Sequence, residues 1–292
     1  MLLLSLVNGN PWTIYIMNWL IFLFSFWLIK TYIPLLGVRY LVILMINPIV
    51  FSSLLAINKE IISLLAISLL VAFTPSRNLY YGLSCLSLSI MVRWQFSVAI
   101  VCSLLLTNKL EMFRNKRWII VLCFTSIISF IYPLILPFIE HIDNIALEAA
   151  DVTSQADYVE GLGTYPLLLG IQRQFGGYLL VVIPKTAHLL FGLLSRYNSV
   201  VDFTEFYNTV IQFSQALIFF FLIPFIFLRR KFDIAEDSIY LAILYCVIFA
   251  LTPIYSPRYL FPVYVLCAIT ISKRENSSNT VKVCKNNHIE KT

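Results

Sequence analysis

Apolar runs of about 20 residues, the length of helix that crosses a bilayer core, recur along the whole chain. Such runs are too long for strands, and none shows the ~10-residue alternation of a transmembrane barrel. Only 12% of the residues are charged and 60% are hydrophobic, whereas soluble domains carry roughly 25% charged residues. The expected fold is all-α. It is a polytopic transmembrane helical bundle of about nine spans, with one re-entrant or interfacial segment besides.

Orientation follows from one polar stretch. Residues 140–163 carry Glu140, Asp143, Glu148, Asp151, Asp157 and Glu160 and no Lys or Arg. The hydrophobic run before them opens after Lys109, Arg114, Lys116 and Arg117, and a later run closes on Arg229, Arg230 and Lys231. Membrane proteins keep Lys and Arg in short cytoplasmic loops. Both basic clusters are therefore expected inside and the acidic segment outside. The net charge of +6 reads the same way: basic residues stand at the ends of spans, and no nucleic-acid partner is called for.

Taken in order, spans are expected at 12–29, then at 38–57 with a kink at Asn47-Pro48, then over a short run to residue 73. The region 79–106 reads as one overlong span with Arg93 near its middle, or as two short spans that meet at Arg93. Two spans keep Lys30, Arg39 and Arg77 inside. They also spare Arg93 a mid-bilayer position costing ~3 kcal/mol or more. The two-span form is preferred. A span at 118–139 exits to the acidic loop. The stretch 165–194 is broken by Gly170, Arg173, Gly176, Gly177, Pro184, Lys185 and His188, and both its ends are needed outside. It is expected to be re-entrant or interfacial, which is tolerated only where protein or a cavity covers the backbone. Spans at 209–228, 238–255 and 259–272 complete the chain.

This organisation makes 1–272 a single transmembrane domain with an outer loop at 140–208, and 273–292 a polar cytoplasmic tail. The amino terminus is expected outside and the carboxyl terminus inside. The first residues lack the charged n-region of a signal peptide. Five of the six cysteines lie in apolar runs, and no CxxC or Cys/His cluster is present. Neither a metal, a disulfide framework nor any other cofactor is indicated.

Ionisable groups at a membrane edge are candidates for function. On this topology Lys59, Glu60, Arg93, Arg173, Lys185, Arg196 and Arg258 gather at the outer face. Arginine offers a planar fork matched to phosphate oxygens and lysine a point charge. Glu60, Asp143 and Glu148 are candidate bases, since a carboxylate can take the proton of an attacking sugar hydroxyl. For each charge, a solvated loop position or a side chain snorkelling to headgroups is the plainer account.

Three stretches also carry a resemblance: NPIVFSSLLAINKEIISLL with Lys59 and Glu60, IMVRWQF with Arg93, and YSPRYLFPVYVL with Arg258, Tyr259 and Pro262. In these the chain resembles the membrane proteins of bacterial surface-polysaccharide assembly, namely O-antigen polymerases and related GT-C-class glycosyltransferases. The resemblance implies a bacterial inner-membrane enzyme whose donor is a polyprenyl-diphosphate-linked saccharide on the outer face. Lys59, Arg93, Arg173, Arg258 and Tyr259 would bind substrate, and other polysaccharide-assembly proteins are further partners. Such enzymes begin with a span followed by an outer loop holding an acidic catalytic residue. Here no Asp or Glu precedes Glu60, so the start is truncated or the base comes from elsewhere. A transporter or flippase of lipid-linked sugars is the rival class, and a truncated inactive remnant is a third reading.

Overall fold

The computed structural model describes residues 11–34, 36–55, 59–109, 116–148, 164–191, 203–228, 232–234, 236–252 and 257–273. The side chains of 11, 105–109, 139–148, 164–166, 203–209, 211–212 and 257–258 lie outside that description. Twelve α-helices run in chain order through the described residues. They are α1 (Pro11–Tyr32), α2 (Gly37–Ile46), α3 (Pro48–Leu55), α4 (Lys59–Ser76), α5 (Leu79–Val92) and α6 (Trp94–Lys109). After these come α7 (Arg117–Glu148), α8 (Thr164–Gln172), α9 (Gly177–Phe191), α10 (Phe203–Leu228), α11 (Asp237–Phe249) and α12 (Phe261–Ser272). A 3-10 turn, Pro257–Leu260, leads into α12.

Three of these helices are long and apolar enough to cross a membrane: Trp12–Tyr32, Lys59–Ser76 and Arg117–Phe138. The pair α2 and α3, bent by 82°, makes a fourth if it counts as one span. Shorter apolar helices fill the rest. Trp12, Trp19, Leu20, Leu23 and Trp27 on α1, and Ile119, Leu122, Phe130 and Leu134 on α7, are exposed. Water would not tolerate such faces, and a bilayer accepts them. The protein is a helical membrane protein.

The centre of the bundle is α11 packed on α12. Every residue of α12 is buried, as are most of α11. A helix that is apolar all round belongs in an interior, and these two have it. Twelve or thirteen residues give about 20 Å of helix, well short of the roughly 30 Å core of a bilayer. Their ends must therefore be satisfied by protein.

The breaks have local causes. Pro48 cannot donate a backbone hydrogen bond, so the ladder stops at Asn47. Asn47 then serves both helices: its N–H donates to Leu44 O, and its Oδ1 accepts from Ile49 N–H at 2.9 Å. At the far end of α3 the Asn18 amide of α1 donates to Ser53 O at 3.0 Å. In a bilayer this replaces the water that an exposed helix end would use.

Residues 79–109 form two helices that meet at Arg93. That residue is extended (φ −163°, ψ 131°), donates its N–H to Ser89 O, and accepts from Phe96 N–H at 3.1 Å. Ser89 Oγ and Ser97 Oγ, 3.1 Å apart, tie the helices together. α8 and α9 form a tight hairpin joined by residues 173–176. Gly176 takes a φ of 76°, and a Cβ on Gly177 would sit 1.9 Å from Ile171 O. The tip of this hairpin rests on α7, where Gly176 N–H donates to Ser129 O and Leu179 N–H to Ser129 Oγ.

One expectation is corrected here. Residues 140–208 are not a loop throughout, because α7 continues through Glu140 and Asp143 to Glu148. No Gly or Pro interrupts HIDNIALE, and its Ala, Leu and Glu are good helix formers. The stretch expected as a re-entrant or interfacial segment holds the helices α8 and α9, and residues 149–163 and 192–202 of the expected loop lie outside the described residues. Lys59 and Glu60, expected in a connection between spans, form the first turn of α4.

Candidate functional site

The two ends of the bundle differ. At one end the close of α1, the close of α4, the start of α11 and the close of α12 come together around Arg77, Asp237 and Lys273. At the other end Glu60 opens α4, Arg93 joins α5 to α6, and Tyr259 precedes α12. The antiparallel run of α4 into α5 sets Glu60 opposite Arg93, and these residues form a cluster.

Arg93 Nη2 donates to Glu60 Oε1 at 2.7 Å, with the two side chains 9% and 2% exposed. Nη1 donates to Tyr259 O at 3.1 Å, and the guanidinium lies 3.6 Å from the centre of the Tyr259 ring. Tyr245 OH donates to the same carbonyl at 2.8 Å. Phe96 and Phe249 close around the tyrosines at edge-on ring distances of 5.6 and 5.8 Å. A desolvated cation over a ring contributes about 2 kcal/mol. The ion pair itself gains little net free energy, yet breaking it costs several kcal/mol because a charge is left buried. Among the described residues Glu60 Oε2 is buried with no hydrogen-bond partner.

Of the residues singled out by sequence, Glu60, Arg93 and Tyr259 meet. Lys59 is next to Glu60 and exposed. Arg173 is exposed on the turn between α8 and α9, a separate element. Arg258 belongs to the 3-10 turn beside Tyr259, and Asp143 and Glu148 to the last turns of α7. The side chains of these last three lie outside the described residues. Among the described residues no group of three His, Cys, Asp or Glu side chains is placed to hold a metal ion.

A second polar cluster forms around Lys185, which the sequence placed among the charges of the outer segment. Lys185 is fully buried, and its ammonium donates to Gln172 Oε1 at 2.6 Å and to Thr252 O at 2.7 Å. Gln172 Nε2 donates to Leu251 O at 2.9 Å, and Tyr132 OH donates to the same oxygen at 3.1 Å. Tyr178 OH donates to Val247 O. These four side chains from α7, α8 and α9 satisfy the carbonyls that α11 exposes where it ends. A cation also suits the negative end of a helix dipole. The signal in the sequence was Lys185 inside an apolar stretch, one residue after Pro184; its partners are backbone atoms and leave no signature.

Comparison of the chain with protein-family models, with characterised proteins and with solved structures finds no match in any of the three.

Proposed function

We propose that the protein is an inner-membrane polymerase or glycosyltransferase of bacterial surface-polysaccharide assembly, using a polyprenyl-diphosphate-linked saccharide as donor at its outer face. One observation carries the reading. The three stretches that resemble such enzymes lie far apart in the chain, and their residues Glu60, Arg93 and Tyr259 form one cluster. A set of unrelated lipid-facing charges would not converge in this way. On this reading the chain spans the membrane about nine times, with α8 and α9 as the re-entrant hairpin, the amino terminus outside and the carboxyl terminus inside.

The reaction has a simple balance. A hydroxyl of the acceptor sugar attacks the anomeric carbon of the donor, the bond to the diphosphate breaks, and the hydroxyl proton passes to a carboxylate. Glu60 is the candidate base, because Oε1 is held by Arg93 and Oε2 meets no hydrogen-bond partner among the described residues. Lys59 and Arg258 are the candidate diphosphate ligands. Arg93 spends two nitrogens on Glu60 and Tyr259, so its role is to position the base. The diphosphate is already a good leaving group, and the protein mainly supplies charge and placement.

A transporter or flippase of the same lipid-linked sugars is the second reading. Two discontinuous elements favour it, the 82° break between α2 and α3 and the α8–α9 hairpin, since broken helices form the sites of many transporters. The test uses purified protein with a polyprenyl-diphosphate oligosaccharide. Polymerase activity yields longer saccharide on the lipid and is lost in Glu60→Gln. Movement of the unextended lipid across proteoliposomes, with no elongation, replaces the enzyme by the transporter.

A further inference from the structure

The end of the bundle opposite Glu60 holds a cavity of about 300 Å3, walled by α4, α6, α11 and α12. Its inner wall is apolar, with Leu70, Val71, Leu104, Leu241, Leu266 and Ile269. Its mouth, where α4 and α12 close, is lined by Arg77, Lys273 and Asp237, and Tyr32 and Ser103 also line the cavity. From Arg77 to Ile67 the wall follows about 15 Å of helix. This volume stands at the lower end of the range for ligand pockets, and the pattern of apolar lining with a few polar groups is theirs too.

The mouth is rich in donors. A guanidinium has five N–H groups and an ammonium three, and Lys273 also pairs with Glu236. The acidic group at the mouth, Asp237, is held by Arg117 at 2.7 Å. Arg77 is set there by the backbone. It closes α4 by donating its N–H to Phe73 O at 2.8 Å, with a φ of 54°. It is the sole non-glycine residue with positive φ among the described residues. Helices often end on such a left-handed residue, and glycine is the usual choice because a Cβ is disfavoured there. An arginine there carries a backbone cost that a glycine would not.

We propose that this cavity binds a lipid with an anionic phosphate head, its hydrocarbon chain between α4, α6, α11 and α12 and its phosphate at Arg77 and Lys273. The two available sources are an anionic membrane phospholipid and a polyprenyl phosphate, which share this chemistry. The site is distinct from the Glu60 cluster and does not depend on the polysaccharide reading.

The test is native mass spectrometry of the full chain in detergent, with phosphatidylglycerol, phosphatidylcholine of the same acyl chains, or undecaprenyl phosphate added. Wild type should retain phosphatidylglycerol, undecaprenyl phosphate or both in preference to phosphatidylcholine, and the one retained identifies the source. Val71→Trp and Leu104→Trp fill the cavity and should lower retention several-fold. Arg77→Gly relieves the backbone and removes the guanidinium, so it should keep the fold while lowering the anionic preference by roughly tenfold, the loss of one charge-assisted hydrogen bond. Retention equal to wild type in both tryptophan variants overturns the site. An unchanged preference in Arg77→Gly overturns it as well, and that arm decides alone if the bulky variants do not fold.

Discussion

Arg93 and Glu60 stand 33 positions apart in the chain and 2.7 Å apart in the structure. The pair joins the start of α4 to the junction of α5 and α6, and Tyr259 stacks on it from the far end of the sequence. Removing one partner strands the other in a place without water. Arg93→Ala should therefore lower stability by roughly 3–5 kcal/mol, read as a drop in melting temperature in detergent. Arg93→Lys should recover only part of that loss, because lysine lacks the planar fork that serves Glu60 and Tyr259 O together. Melting of Arg93→Ala at the wild-type temperature would remove the pair from the list of supports.

Structure and chemistry separate at the same two residues. A Glu60→Leu, Arg93→Met double variant replaces the ion pair with apolar side chains, an exchange that is often neutral or stabilising. It should melt near wild type while failing to lengthen surface polysaccharide in cells. Wild-type chain length in that variant would show that the pair is a staple and that the base lies elsewhere.

Lys185 gives a different outcome. Lys185→Met leaves Thr252 O and Gln172 Oε1 without the ammonium that now reaches both. Each buried group left unsatisfied costs about 1–3 kcal/mol. The melting temperature should fall clearly, and proteolysis should first open the segment that holds α8 and α9. A variant as stable as wild type would mean that the end of α11 has no need of the cation.

The hairpin turn offers a matched comparison of glycines. Gly177→Ala places a methyl 1.9 Å from Ile171 O, a backbone atom that cannot move aside cheaply, whereas a Cβ on Gly170 meets nothing within 4 Å. Gly170→Ala should be neutral or stabilising by up to ~1 kcal/mol. Gly177→Ala should lose folded protein, measured as the monodisperse fraction after detergent extraction. Equal yields from the two would contradict the turn.

Sidedness can be read with single cysteines at Ser154 and Asn115 in a background without native cysteines. An impermeant thiol reagent applied to intact cells should label Ser154 and spare Asn115, as the charge pattern requires. The opposite labelling would invert the whole arrangement.

Breaks in the helices were largely legible in the sequence. Pro48 ends a backbone ladder wherever it stands, a charge such as Arg93 avoids mid-bilayer, and Gly176-Gly177 permits a reversal few other pairs would allow. The course of residues 140–148 was not legible, because polar residues in a helical register look like a loop when hydropathy alone is read. The candidate site was legible as a set of residue types. The pairing of Glu60 with Arg93 was not, since it depends on the register of α4 against α5. The capping of α11 was hidden for another reason: its acceptors are carbonyls, which every residue has.

That helix is held at both ends. Arg117 clasps Asp237 and donates to Ile234 O at its start, and Lys185, Gln172 and Tyr132 grip its finish. A rod moored by a charge at each tip cannot tilt or slide without casting off one of them. Together with α12 it behaves as a stator. The near half of the bent pair is lashed to the same core, since Tyr264 OH of α12 donates to Ile43 O of α2 and Leu36 N–H donates to Ser272 O.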